Sequence, residues 1–277
     1  MAYQDLRDYL NVLTNKGLMK WVEEEVDKDW EITCIARKVF QQKPKKRFAL
    51  GFKKVKGYSS PVVVGTIAAS REVYAIALEM GHEVNQIISR WNQALTYLRE
   101  PEILANGVCQ EVVREGKEVN LNWFPIPTWT PEKDPGPYIT APCMITKDLE
   151  NGTRNVGIYR MQVKSADKTG VLWDLPSQHA AIHFAKYEAR QKPMPVAVAI
   201  GVDPCILMAA AAKVPLGVDE LAVAGGLRGK AIPLVKCKTI DLEVPATAEI
   251  ILEGEILPGE KEIEGPFGEY TGYMGGP

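Results

Sequence analysis

Apolar residues recur at helical spacing from the start of the chain. Leu6, Tyr9, Leu10 and Leu13 fall on one face of a helix predicted over residues 4–16, which Gly17 stops. A short strand from Leu18 to Val22 is expected next, then an acidic run. Asp29 is expected to cap a helix that buries Ile32, Ile35, Ala36, Val39 and Phe40. Strand-like pieces follow at Phe48 to Phe52 and Pro61 to Ile67, joined by a Lys/Gly/Ser-rich turn. Ser70 can cap a helix with Val73, Tyr74 and Ala77 inward, and Val84 to Leu98 continues helically. Helix and strand thus alternate through the first hundred residues, the pattern of a small α/β domain. His82, after Gly81, reads as a cap or surface residue.

Beyond residue 105 the pattern changes to short strands. They are predicted at Val108–Arg114, Val119–Leu121, Tyr138–Thr146, Asn155–Gln162, Val196–Val202, Ala231–Val244 and Ala248–Leu257. Turn signals such as Pro135-Gly136-Pro137 separate them, and helices interrupt at Ala180–Arg190, Ile206–Ala212 and Asp219–Leu227. Many short strands at this spacing favour a barrel or sandwich. The fold class expected is α+β, with a small α/β domain over residues 1–105 and a β-rich domain over residues 106–277.

Composition narrows the function classes. A chain of 277 residues with 46% hydrophobic and 25% charged residues can bury a sizeable core. Its net charge of -2 lacks the basic surface that nucleic acid requires, and Lys43-Pro44-Lys45-Lys46-Arg47 is too local to supply one. No run approaches the roughly 18 apolar residues of a membrane span, and the first residues have no signal-peptide pattern. Five scattered cysteines without a Cys-x-x-Cys pair suit reduced, buried thiols in a cytoplasm.

Some polar residues sit where strands and helices should be apolar. Arg160 lies in Asn155-Val156-Gly157-Ile158-Tyr159-Arg160-Met161-Gln162 and needs either an ion-pair partner on a surface strand or an anionic ligand. His179 and His183 share a helix face, but no third ligand is near in sequence. His179 at the helix start is the functional candidate, while His183 packs or caps. The small residues through Ala209–Ala212 allow either a flat ligand or tight helix packing. Glu220 is either a helix-start acid or a metal ligand. Glu264 and Glu269 flank Gly265-Pro266-Phe267-Gly268. On a straight strand they would face opposite ways, so only a turn can bring both onto one pocket. There one carboxyl would be driven toward its protonated form while Arg160 keeps the other ionised. Two solvated glutamates beside a surface turn are the plainer alternative.

These blocks together resemble the UbiD-like decarboxylases. The likeness rests on Asn155 to Gln162, Ser177-Gln178-His179, Asp219-Glu220 with Leu227-Arg228-Gly229, and Glu264 to Gly272, in the family's order. It implies prenylated FMN, made by a separate flavin prenyltransferase and held through a divalent metal (Mn2+ or Mg2+) and K+. Asn155, His179 and Glu220 would be the metal ligands. Asn155, Gly157, Ile158, Arg160, Gln178, His179, Ala210, Ala211, Ala212 and Glu220 would line the cofactor site. Arg160, Glu264 and Glu269 would be the catalytic set, with Glu269 donating a proton and Glu264 organising Arg160. The reaction implied is reversible non-oxidative decarboxylation of an aromatic or α,β-unsaturated carboxylic acid. The second domain would be a split β-barrel, and the enzyme a cytoplasmic homo-oligomer that engages neither nucleic acid nor membrane.

Two further expectations concern geometry and length. Asn155 and Arg160 are an odd number of residues apart, so a β-bulge near Gly157 is expected to realign them. The Gly275-Gly276-Pro277 ending is an unusual terminus, so the chain is expected to be the N-terminal part of a longer enzyme, without its C-terminal oligomerisation domain. A catalytically incomplete subunit, binding flavin or a partner chain without turnover, is the alternative.

Overall fold

The computed structural model describes residues 3–80, 84–173, 176–269 and 272–276; His82 lies outside them. Helix α1 (Leu6–Asn15) starts where the Asp5 carboxylate accepts the Asp8 N–H at 2.9 Å, and it buries Leu6, Tyr9, Leu10 and Leu13. Strand β1 (Met19–Val26) extends through the acidic run expected to follow it. As an edge strand with a register shift between Val22 and Glu25, it can leave Glu23, Glu24 and Glu25 exposed. Helix α2 (Glu31–Phe40) crosses over to β2 (Ala49–Val55), which lies parallel to β1, and β3 (Val62–Val64) adds antiparallel to β2.

Asp29 does not cap α2. The Asp27 carboxylate instead accepts the Asp29 and Trp30 N–H groups at 2.9 Å, and Glu31 accepts the Asp27 N–H. The Asp29 carboxylate is left to accept the Thr128 N–H at 2.7 Å. Ile35 and Phe40, expected inside, are half-buried, while Thr33 is buried. Helix α3 (Arg71–Ala77) carries the expected Ser70 cap, and α4 (Ile87–Thr96) follows.

The remaining strands are β4 (Glu102–Ile103), β5 (Tyr138–Ile139), β6 (Cys143–Lys147), β7 (Arg154–Ile158), β8 (Met161–Val163) and β9 (Thr169–Val171). Helix α5 (His179–Ala189), β10 (Met194–Ile200), α6 (Pro204–Ala211) and α7 (Glu220–Arg228) come next. The chain then forms β11 (Pro233–Lys236), β12 (Glu243–Pro245), β13 (Ile250–Ile256), β14 (Phe267–Gly268) and β15 (Met274–Gly275). The largest sheet is antiparallel in the order β13-β10-β6-β7. Its two faces divide the core by strand alternation. Cys143, Ile145, Val156, Ala197 and Ala199 join the cluster that includes Leu221 and Leu227 of α7 and reaches α1. Met144, Val196 and Val198 join the cluster around Ala180 and Tyr187 of α5.

This is a mixed α+β architecture, and among the described residues no sheet closes into a barrel. Five of the strands predicted beyond residue 105 differ: Asn155–Gln162 divides into β7 and β8, Ala231–Val244 divides into β11 and β12, and three more depart as follows. Val108–Arg114 and Val119–Leu121 become 3-10 turns and irregular chain, with Val108, Val112 and Val119 exposed and no neighbouring strand to pair with. Tyr138–Thr146 splits into β5 and β6 around residues 140–142, where Pro142 cannot donate to a ladder. Cys34, expected buried, is exposed, and all five thiols are free.

Candidate active site and metal-ligand cluster

The strand that carries Arg160 is interrupted. Pairing between β6 and β7 runs without a shift from Cys143↔Ile158 to Lys147↔Arg154, so the bulge expected at Gly157 is absent. The chain instead leaves the four-stranded sheet after Ile158 and joins the β5-β8-β9 sheet at Met161, with Tyr159 and Arg160 in the crossing. Gly157 serves a different purpose. A Cβ there would lie 2.5 Å from the Tyr159 ring, so only glycine lets that ring fold back on the strand.

Freed from the ladder, Arg160 meets both predicted acids. Its Nε and Nη2 donate to Glu264 Oε1 and Oε2 at 3.1 and 3.0 Å, and its Nη1 donates to Glu269 Oε1 at 2.9 Å. The guanidinium also lies 4.8 Å from the Phe267 ring centre. Burial acts against the Arg160 charge, but the two carboxylates outweigh it and raise its pKa. The Glu264 side chain is 5% exposed and that of Glu269 44%, so Glu269 is the acid with open access. The turn between them is fixed from outside. Gly265 adopts φ +91, and Asp134 accepts the Thr130 and Gly268 N–H groups at 2.7 and 2.8 Å.

A second cluster forms where α5 and α7 pack on β7. Glu220 opens α7 behind the Asp219 cap, and its Oε2 accepts the Val156 N–H at 2.7 Å. Burial pushes the Glu220 carboxyl up to about 7. Its other oxygen lies 3.7 Å from His179 Nδ1, and burial lowers the His179 pKa, which favours the neutral imidazole a metal needs. Asn155 is buried one residue before Val156. Among the described residues no three His, Cys, Asp or Glu side chains gather at a metal-sized site; this set offers two of those types and an amide. At the N-cap of α5, Gln178 has a buried Oε1 with no partner. The His179 imidazole and the orphaned Gln178 oxygen at the start of α5, the Glu220 carboxylate at the start of α7 and the Asn155 amide on β7 are groups that suit a metal-bound phosphate ligand.

The other predicted residues are placed less uniformly. Ile158 ends β7 half-buried, Ala210 is buried in the α6 core contact, Ala211 is exposed and Ala212 is partly buried. A cleft of about 1340 Å3 opens over Met144, Met161, Val196 and Val198, touching the acid–arginine set only at Glu264. Sequence reasoning did not single out Thr146, Asp148 or Asp134. Thr146 Oγ1 lies 2.9 Å from His183 Nδ1 and accepts from Asn155 Nδ2 at 3.3 Å. Asp148 lies 3.9 Å from His183 Nε2 and pairs with Lys186 at 2.7 Å. The available signal was polar residues ending an apolar strand, Cys143-Met144-Ile145-Thr146.

Residues 102–277 match the Rift-related domain model of the 3-octaprenyl-4-hydroxybenzoate carboxy-lyases, and residues 10–94 match the N-terminal domain model of the same enzymes. The chain belongs to the UbiD family. It is 39% identical to an uncharacterized protein of Archaeoglobus fulgidus, an alignment covering 99% of this chain and 59% of that protein. The UbiD-class enzyme HmfF from Pelotomaculum thermopropionicum, solved in complex with FMN, superposes with a TM-score of 0.89 at 39% identity, over 99% of this chain and 59% of its own. The closed form of vanillic acid decarboxylase from Sedimentibacter hydroxybenzoicus gives 0.93 at 32% identity, over 100% and 60%. The chain therefore spans about three-fifths of the length of these relatives.

Proposed function

We propose that this chain carries out, or forms the flavin-binding part of an enzyme that carries out, reversible non-oxidative decarboxylation of an aromatic or α,β-unsaturated carboxylic acid. The observation that supports this best is the meeting of Arg160, Glu264 and Glu269 across more than a hundred residues of sequence. Asn155, His179 and Glu220 would hold Mn2+ or Mg2+, with K+ alongside, against the phosphate of prenylated FMN; Gln178, whose buried Oε1 has no partner, would add an oxygen to the same site. One relative favours that cofactor: HmfF is solved with FMN, and an evolved dimeric form of it with prFMN.

Bound prenylated FMN would supply the electron sink that carboxylate loss from an sp2 carbon requires. Arg160 would orient the substrate carboxylate with its planar fork. Glu264, buried and doubly bonded, would hold that fork in place. Glu269, the more exposed acid, would deliver a proton to the carbon that loses CO2. A cytoplasmic homo-oligomer, supplied by a flavin prenyltransferase and divided near residue 105, completes the proposal.

The test is to add prenylated FMN and Mn2+ to the purified chain and follow the visible spectrum together with CO2 exchange. Glu269→Gln should keep cofactor uptake and lose turnover; near-normal turnover would remove Glu269 from its role. A second reading, flavin binding without turnover, rests on the relatives' greater length. Uptake with no CO2 exchange in the unaltered chain selects it.

A further inference from the structure

The amide of Asn155 can present only one of its two ends to a cation, and the surrounding side chains decide which. On β6, Thr146 stands directly opposite Asn155. Its hydroxyl has two neighbours, His183 Nδ1 at 2.9 Å and the Asn155 amide at 3.3 Å. His183 is 1% exposed, and its other nitrogen faces the Asp148 carboxylate at 3.9 Å. The Asp148 carboxylate on the Nε2 side favours the neutral His183 tautomer that carries its proton there, and in that tautomer Nδ1 is an acceptor. The Thr146 hydroxyl must then donate to Nδ1. With that hydrogen committed, Thr146 Oγ1 can only accept from Asn155, so the Asn155 atom facing it is the NH2 nitrogen.

The carbonyl end of Asn155 is thereby directed away from β6. Because β7 is an edge strand, this is the open side of the sheet. Glu220 approaches on the same side, since it accepts the Val156 N–H that β6 does not use. Turned the other way, the amide would present its hydrogens to the cation and the ligand set would fall to two.

We propose that Thr146, locked by His183, is the positioning residue that fixes the amide orientation of Asn155 and so completes the divalent-metal site. This rests on the metal-binding reading above and adds two residues that touch neither metal nor cofactor. Loss of such an outer partner typically costs about 10–100-fold in metal affinity.

The experiment is a fluorescence titration of FMN into the full chain with and without Mn2+, alongside a thermal unfolding curve. In the unaltered chain Mn2+ should tighten FMN binding. Thr146→Val, which keeps the side-chain shape, should lose about 10–100-fold of that Mn2+-dependent gain. Thr146→Ser, which retains the hydroxyl, should restore it. If Thr146→Val does not fold, His183→Leu is the replacement; by freeing the hydroxyl to rotate, it should also reduce the gain. A full Mn2+-dependent gain in Thr146→Val or His183→Leu overturns the inference, as does its loss in Thr146→Ser. No gain in the unaltered chain overturns the metal-binding reading itself, and the inference with it.

Discussion

Arg160 and Glu264, 104 residues apart, form a two-bond fork in which Nε and Nη2 each reach one carboxylate oxygen, at 3.1 and 3.0 Å. The acid is buried, so removing Arg160 leaves its charge without compensation, whereas Arg160 without Glu264 keeps Glu269. We expect Arg160→Ala to cost about 3 kcal/mol of folding stability. Adding Glu264→Gln to that variant should recover much of the loss. A denaturant double-mutant cycle measures this, and additive costs would show that the two side chains act independently.

Gly268 lies where a Cβ would come 1.9 Å from Thr130 Oγ1. Gly268→Ala should therefore displace the turn that separates the two acids, at a cost of about 1–3 kcal/mol. The companion change Thr130→Gly removes the obstructing atoms. It should recover part of that stability, read as the shift in unfolding midpoint.

Arg228 anchors α7 to the start of the chain. Its side chain is 0% exposed, lies 3.1 Å from Asp203 and 3.0 Å from Glu79, and donates to the Tyr3 carbonyl at 2.8 Å. Arg228→Met leaves Asp203 buried without its cation and should destabilise by about 3–5 kcal/mol. Adding Asp203→Asn should offset a large part of this in equilibrium unfolding.

Acid sensitivity should trace to Asp148. Burial works against its charge, but Lys186 and the Glu150 and Asn151 N–H groups prevail and hold its pKa below the ordinary aspartate value. A depressed folded-state pKa stabilises the fold above the unfolded value of about 4, and this stability is lost as pH falls through the folded one. Asp148→Asn should flatten that acid limb in unfolding curves recorded from pH 6 downward. An unchanged limb would assign acid sensitivity to other carboxylates.

The cap of α3 and the buried face of α1 were legible in the sequence because they depend on local chemistry. Ser70 caps α3, and Leu6, Tyr9, Leu10 and Leu13 are the buried face of α1, both set within one or two turns of chain. Strand assignments failed where alternation met no partner. Val108 and Val112 have the composition of a strand but lie exposed, because a strand exists only through another segment's hydrogen bonds. The Gly157 expectation failed in a different way: parity required a reorientation but could not say whether a bulge or a change of sheet would supply it.

The sequence by itself singled out the polar residues set in or beside apolar segments, Arg160, Glu220, Glu264, Glu269 and His179, and left open whether each is buried. Their cost when unpaired is a property of the residue type, visible before any fold is known. Only the tertiary structure decided their partners. Arg160 reaches two acids, Glu220 takes a strand-edge N–H, and Thr146 sits between His183 and Asn155. Hydrogen bonds act over about 3 Å, and segments far apart in sequence come that close only after the sheets and helices have packed.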